Sequence, residues 1–236
     1  MSPAMIPLAT IRIGPIRIGP AAEIAPGVLS AIGKHPVDRA LRLSPEGFEG
    51  DQQADRRHHG GPEKAVHHYN ASHYPAWRAE LGDLSALQPG GFGENLSSEG
   101  LTERDVAVGD RFRLGRALVE VSQARQPCWK LNLRFGVADM ARRVQDSGRT
   151  GWYYRVIEPG PVAPGDALEL LDRRAPDWTL DRLWRNLYVD RLNRAELAAM
   201  AELEVLSESW RKLARRRLDN ASVEDWNARL NGRSNP

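Results

Sequence analysis

The 236-residue chain predicts a mixed α/β fold: a β-rich, barrel-like domain over 1–175, then a small C-terminal three-helix domain over 176–236. Three observations carry that reading. Up to Pro176 the sequence is dense in Gly and Pro, and its apolar residues fall in short alternating runs, as strands closed by turns do. Beyond Pro176 glycine nearly vanishes, and Leu and Trp recur at spacings of three and four, the period of a helix. Many short strands with few helices between them argue for a barrel-like sheet rather than a doubly wound one.

The elements follow in order. Ile11-Arg12-Ile13-Gly14-Pro15 repeats at once as Ile16-Arg17-Ile18-Gly19-Pro20. Alternating Ile and Arg suit a half-buried strand broken at each Gly-Pro, and two copies are too few for a solenoid. Pro75 at a first helical position, ahead of residues 76–81, predicts a short helix. Residues 106–114 lead through Gly115-Arg116 into 117–122, which predicts a hairpin with a type II′ turn. Residues 137–147, stopped by Gly148, predict a second helix among the strands. Residues 152–157 and 167–171 read as further strands. In the tail, Leu180, Leu183, Trp184 and Leu187 mark one helix, Leu203, Leu206, Trp210 and Leu213 a second, and Trp226 with Leu230 a third. Four of the seven tryptophans lie there, where they help fill a thin core. If so small a bundle cannot bury its apolar stripe alone, it packs on the barrel or on a second subunit, as in a homodimer.

Composition narrows the function classes. Hydrophobic residues make up 41% and charged residues 27%, as in globular proteins, and the net charge is +2. A cluster of Arg211, Lys212, Arg215, Arg216 and Arg217 suggests phosphate contacts, but the tail holds eleven Lys+Arg against ten Asp+Glu. That balance is weak for nucleic acid, and a solvated helix face or docking on a reductase suits it better. The first residues lack the basic and apolar segments of a signal peptide, and no apolar run approaches the roughly 18 residues of a membrane span. A cytoplasmic location is the expectation, and a single cysteine fits a reducing compartment.

That cysteine, Cys128, is the most informative residue. One cysteine forms no internal disulfide and does not supply the paired ligands of a structural zinc site. It is apolar filler, a nucleophile, or a single thiolate ligand to a soft metal. Arg125, three residues earlier, favours the thiolate. A second segment runs from Gly50-Asp51-Gln52 through Asp55, Arg56 and Arg57 to His59-Gly60-Gly61. Paired glycines let backbone N–H groups approach an anion, and the arginines add phosphate contacts; the alternative is a polar loop with a tight turn. Five of the six histidines fall between His58 and His73, but the adjacent pairs His58-His59 and His67-His68 argue against zinc, since neighbours on a strand face opposite ways. In a third segment, Gly91-Phe92-Gly93-Glu94-Asn95-Leu96, Asn95 is a candidate polar-ligand contact or part of a strand-entry turn.

Taken in order, these segments resemble the MOSC domain, the module at the C-terminus of molybdenum-cofactor sulfurases, in its YiiM-like branch. The matching residues are Ser30-Ala31-Ile32-Gly33-Lys34; Gly50-Asp51-Gln52 with Ala54-Asp55; His59-Gly60-Gly61; Phe92-Gly93-Glu94-Asn95-Leu96; Val108-Gly109-Asp110; and Ser122-Gln123-Ala124-Arg125 with Pro127-Cys128. The tail resembles the three-helix domain of that branch, including Ser209-Trp210 and Lys212. The resemblance covers nearly the whole chain and departs from it in the duplicated Ile-Arg-Ile-Gly-Pro.

It implies a barrel that binds molybdenum cofactor (molybdopterin), with Cys128 as metal ligand. It implies reduction of N-hydroxylated compounds, such as the purine base 6-hydroxylaminopurine, with electrons from a separate reductase. Cys128 and His59 are the catalytic candidates. Lys34, Arg57, Gly60, Gly61, Asn95, Arg125 and Asp55 are the cofactor-binding candidates. One rival reading makes Cys128 a persulfide carrier in cofactor sulfuration, which needs a pyridoxal-phosphate partner domain for which this chain has no room. Another makes the chain a non-catalytic cofactor-binding module.

Overall fold

The computed structural model describes residues 10–54 and 60–232. Its first half lays down β1 (Ile11–Arg12), β2 (Ile16–Ile18), β3 (Ala22–Ala25), β4 (Val28–Ser30), β5 (His35–Val37), β6 (Leu41–Ser44), β7 (Gly47–Phe48), β8 (Val66–Asn70), helix α1 (His73–Leu81) and β9 (Leu96–Ser98). There follow β10 (Asp110–Leu114), β11 (Ala117–Ala124), α2 (Lys130–Phe135), α3 (Met140–Ser147), β12 (Trp152–Glu158), β13 (Gly160–Val162) and β14 (Ala167–Arg173). The tail holds α4 (Leu180–Tyr188), α5 (Arg194–Glu202), α6 (Glu208–Asn220) and α7 (Asn227–Asn231). None of the helices among the described residues is long and apolar enough to cross a membrane.

Seven strands form the main sheet, in the order β1-β14-β10-β11-β12-β8-β9. Its two ends meet: Gly14 N–H donates to the Ser97 carbonyl at 3.4 Å and Arg17 N–H to the Asn95 carbonyl at 2.9 Å. The sheet is therefore nearly closed, which removes the liability of open edges. Its one parallel pair, β8 with β9, requires a crossover, and residues 71–95 with α1 supply it. The β10–β11 hairpin turns through Gly115-Arg116 with only Gly115 at positive φ (55°), as a type II′ turn demands. The duplicated pentapeptide does not form a structural repeat. Its first copy gives β1, paired with β14; its second gives β2, paired with β5.

Three expectations need correction. The barrel carries α2 as well as the two predicted helices, and α3 begins at Met140 rather than 137. The three-helix domain is made of α4, α5 and α6, with α7 following it, so its helices are not the three that the spacing marks. Arg194–Glu202 forms a helix of its own, capped by the Asn193 side chain, and the stripe 203–213 spans a break, since α6 starts only at Glu208. The spacing of three and four survives the break because Leu203, Leu206, Trp210 and Leu213 all face one core.

That core answers how the thin bundle is buried. Trp178, Leu180, Leu183, Met200, Leu206 and Trp210 belong to the same cluster as Phe112, Val119, Val121 and Tyr154 of the sheet. β11 is buried at all eight positions, because the barrel interior covers one face and the tail the other. Backbone bonds stitch the join: Val108 N–H to the Trp178 carbonyl at 3.0 Å, Leu180 N–H to Val106 at 2.9 Å, and Ser207 N–H to Ser122 at 3.0 Å. Glu120, at 1% exposure, sits in that layer with Arg111, Arg155 and Arg174 around its carboxylate, and the three guanidinium groups outweigh burial and hold it below the usual carboxylate range.

Candidate functional site

A half-open cavity lies beside the carboxyl end of β11, where loops and strands from along the barrel converge. The loop after β4 brings Lys34. The loop after β7 brings Asp51. The short turn Pro62–Lys64 brings Lys64, and β8 brings His67. The loop before β9 brings Asn95, and the loop between β11 and α2 brings Arg125 and Cys128. Lys130 and Tyr153 complete the wall. The described lining therefore sets four cations against one carboxylate, Asp51. Such a surface recruits anions.

Cys128 is half-buried and lines this cavity, so its thiol is not sealed among aliphatic side chains. Arg125, 7% exposed, presents a guanidinium nitrogen, Nη1, that has no hydrogen-bond partner among the described residues. A buried cationic donor without an acceptor costs free energy, so it marks a place for a ligand anion. Its backbone is fixed, because Arg125 N–H donates to the Gly151 carbonyl at 3.0 Å. Gly151 itself has φ 68°, and a Cβ there would fall 2.4 Å from the His68 carbonyl and 3.0 Å from His67 Nε2. Only glycine fits between the arginine and the histidine pair.

Lys34 and Asp51 form a buried ion pair, each about nine-tenths enclosed. Burial pulls the Lys34 ammonium below its ordinary range, against the attraction of Asp51. Asn95 holds the pair in place. Its amide nitrogen donates to Asp51 Oδ2 at 2.8 Å and to the Arg17 carbonyl at 2.9 Å, and its oxygen accepts from His67 N–H at 3.0 Å. With its polar atoms so engaged, Asn95 organises the wall. The preceding Glu94 is buried and accepts from the N–H groups of Gly90 and Phe92 and from the hydroxyls of Tyr74 and Ser97. Burial raises its carboxyl, and these donors counter the shift.

The histidine pair divides as alternation on a strand requires. His68 turns into the barrel, between Tyr154 Oη at 3.0 Å and Ser98 Oγ at 2.7 Å, and burial lowers it to about 3. His67 turns to the cavity and lies against the Tyr153 ring, with centroids 4.9 Å apart and planes tilted by 33°. Burial first, and the Arg125 charge second, push His67 well below its usual range, so the ring is neutral at pH 7. Its Nε2 has no hydrogen-bond partner among the described residues. Tyr153 is raised by burial, against the Arg125 charge, and keeps its hydroxyl proton at neutral pH.

Lys34, Asn95, Arg125 and Cys128 of the sequence candidates thus come together. Asp55, Arg57 and His59 lie outside the described residues. Gly60 and Gly61 lead into the turn that carries Lys64 and do not themselves appear in the described wall. His67, Tyr153, Asp51, Lys64 and Lys130 were not singled out from the sequence. A usable signal existed for His67: two adjacent histidines on one strand must put one ring on each face.

Two family models match the chain. The MOSC domain covers residues 55–169, and the YiiM-like, 3-alpha helix domain covers 178–221. Protein YiiM from Escherichia coli (strain K12) is 41% identical over 212 residues, 88% of this chain and 92% of that protein. The crystal structure of YiiM from Escherichia coli superposes with a TM-score of 0.79 at 34% identity, covering 93% of this chain and 98% of that one. A protein of Gibberella moniliformis named Reductase is 36% identical over 91% of this chain, which spans 38% of its length. The nearly closed barrel, its stitched-on tail and the extent of these matches agree: this chain is a member of the MOSC family, in the YiiM-like branch that carries an appended three-helix domain.

Proposed function

We propose that this protein is a molybdenum-cofactor-dependent reductase of N-hydroxylated compounds, with 6-hydroxylaminopurine and related bases as the substrate class and a separate reductase as electron source. One observation carries the reading: the only cysteine opens onto a cavity that four cations surround, next to a buried guanidinium nitrogen with no acceptor among the described residues. The Reductase name of the fungal relative supports a redox role.

The residues present fit the cofactor. Molybdenum accepts thiolate sulfur, and one cysteine suffices when a dithiolene supplies the other sulfurs. The cofactor phosphate needs cations and donors, which Arg125 Nη1, Lys64 and Lys130 offer. The enclosed space is about 90 Å³. Sites that swallow a drug-sized ligand whole run to roughly 300–1,000 Å³. A pterin held here would therefore extend beyond the enclosed space. When bound, the cofactor supplies the two-electron chemistry that removes an oxygen atom from nitrogen.

The remaining roles belong to the chain. Cys128 Sγ is the metal ligand. Arg125 binds and orients the anionic part of the ligand. Lys34 balances the charge of Asp51, which Asn95 holds in place, so the back wall presents no uncompensated carboxylate to the anion. Tyr153 holds a proton on Oη at the cavity surface, where it can pass to a departing hydroxide. His59 is the second proton donor in this proposal, with Arg57, Gly60, Gly61 and Asp55 as cofactor contacts of the same segment.

Elemental analysis of protein from a host that makes the cofactor tests the reading. Stoichiometric molybdenum, lost in Cys128→Ser together with reduction of 6-hydroxylaminopurine by a chemical electron donor, is the expected result. Cyanide-labile sulfur on Cys128 without molybdenum would instead establish a sulfur carrier. Cofactor bound without turnover under any reductant would establish a binding module.

A further inference from the structure

We infer that Arg229, in the last helix of the chain, is the positioning residue for Cys128. The inference rests on Cys128 as the sulfur donor of the proposed site, but not on the identity of the metal or substrate.

The loop from β11 to α2 spans five residues, Arg125 to Trp129. It has no strand partner across Gln126-Pro127-Cys128, and Pro127 has no N–H to give. The backbone groups flanking the cysteine therefore need partners from elsewhere. One residue supplies both. The Arg229 guanidinium donates to the Pro127 carbonyl at 2.7 Å, across 102 positions of sequence, and the Arg229 carbonyl accepts from Trp129 N–H at 2.8 Å. Cys128 hangs between these two bonds, and its own carbonyl accepts from Leu131 N–H at 3.0 Å at the start of α2.

Arg229 is itself fixed. Its second terminal nitrogen, Nη2, donates to Gln145 Oε1 of α3. Leu230, 1% exposed, anchors α7, and its carbonyl accepts from Asn132 Nδ2 at 2.9 Å. On the other side of the loop, Gln126 Nε2 donates to the Tyr188 hydroxyl of α4 at 3.1 Å. The tail thus does more than extend the core: its first helix and its last grip the cysteine loop from two sides. Neither contact involves the cavity wall, so Arg229 acts through Cys128 rather than on a ligand.

The test uses full-length protein and no cofactor. Alkylation of Cys128 by excess iodoacetamide at one fixed pH reads how open the loop is, and hydrogen exchange at Trp129 N–H reads the clamp itself. In Arg229→Ala, both rates rise at least about fivefold, because the guanidinium bonds to Pro127 and Gln145 are gone and only the backbone bond from Trp129 N–H to the carbonyl of residue 229 still closes the loop. Arg229→Lys keeps a donor for Pro127 but lacks the fork to Gln145, so it restores part of the protection. Gln145→Ala leaves the loop sequence and Arg229 intact and gives an intermediate rise. It carries the test if Arg229→Ala fails to fold by circular dichroism. Rates within twofold of the parent in a folded Arg229→Ala, or in Gln145→Ala should that variant not fold, overturn the inference, as does an Arg229→Lys no better protected than Arg229→Ala. Absence of molybdenum or of turnover in the parent protein would sink the functional proposal and leave these measurements unaffected.

Discussion

Asn95→Asp is nearly isosteric, yet it strikes the back wall of the cavity at its centre. Asn95 is 3% exposed. The substitution keeps the acceptor that His67 N–H uses, and it turns the one donor group into a second acceptor. That atom then faces two oxygens, the Arg17 carbonyl and Asp51 Oδ2, which Asn95 Nδ2 now meets at 2.9 and 2.8 Å. Losing a buried hydrogen bond so that its partner is left unsatisfied costs about 1–3 kcal/mol, so the two together cost about 2–6 kcal/mol. A second carboxylate beside Asp51 adds repulsion and draws Lys34 between two partners. The assay is urea unfolding of the parent, Asn95→Asp and Asn95→Ala at about pH 7 and about pH 5, since the new carboxyl titrates upward of the usual 3.9 when buried beside a like charge. The raised carboxyl makes the folded form bind more protons, so the Asn95→Asp deficit shrinks as pH falls, while that of Asn95→Ala does not. An Asn95→Asp protein within about 1 kcal/mol of the parent at pH 7 would refute the assignment of Asn95 as the donor that fixes Asp51.

Three further outcomes follow from the same structure. His68 is lowered to about 3 by burial, while an unfolded histidine titrates near 6.5, so the unfolded chain binds the extra proton between those values. Stability is therefore full above about pH 6.5 and falls toward pH 3 by up to about 1.4 kcal/mol per pH unit from this group; His68→Gln flattens that slope in pH-dependent urea unfolding, and an unchanged slope counts against a neutral buried ring. Gly151→Ala forces a Cβ to 2.4 Å from the His68 carbonyl at φ 68°, and it lowers the thermal midpoint by about 5–10 °C, for a cost of about 2–3 kcal/mol. A midpoint within a degree or so of the parent means the backbone there yields freely. Trp210→Ala empties a site at 2% exposure in the shared core and costs about 3–5 kcal/mol. Fluorescence and far-UV signals should still fall in one transition; two separated transitions would mean that tail and barrel fold apart.

The sequence exposed what local chemistry controls and hid what packing controls. The β10–β11 hairpin was legible because alternating residues flank Gly115-Arg116, which forms the turn that the pattern requires. α3 was legible from its stop at Gly148, in the left-handed conformation at φ 73°. α2 is only six residues long, too short to show a period. β8 was hidden for another reason. Val-His-His-Tyr-Asn has no polar–apolar alternation, since all five residues are buried. The tail break at 203–207 was invisible because its leucines keep helical spacing while the backbone does not. At the site, Cys128, Arg125, Lys34 and Asn95 stood out through glycine-rich or cysteine-bearing segments. Lys64, Lys130 and Tyr153 did not, because only the fold brings them to one cavity. Arg229 carries no local signal at all.

The backbone bonds that join Val108 to Trp178 and Ser207 to Ser122 cross the seam that composition marks near Pro176. A protease that cuts the connector there would release no fragment. The two pieces would stay mated through a common hydrophobic interior and migrate as one particle until a denaturant parted them, because the cluster that holds Phe112 and Val121 of the sheet also holds Leu183 and Trp210 of the tail.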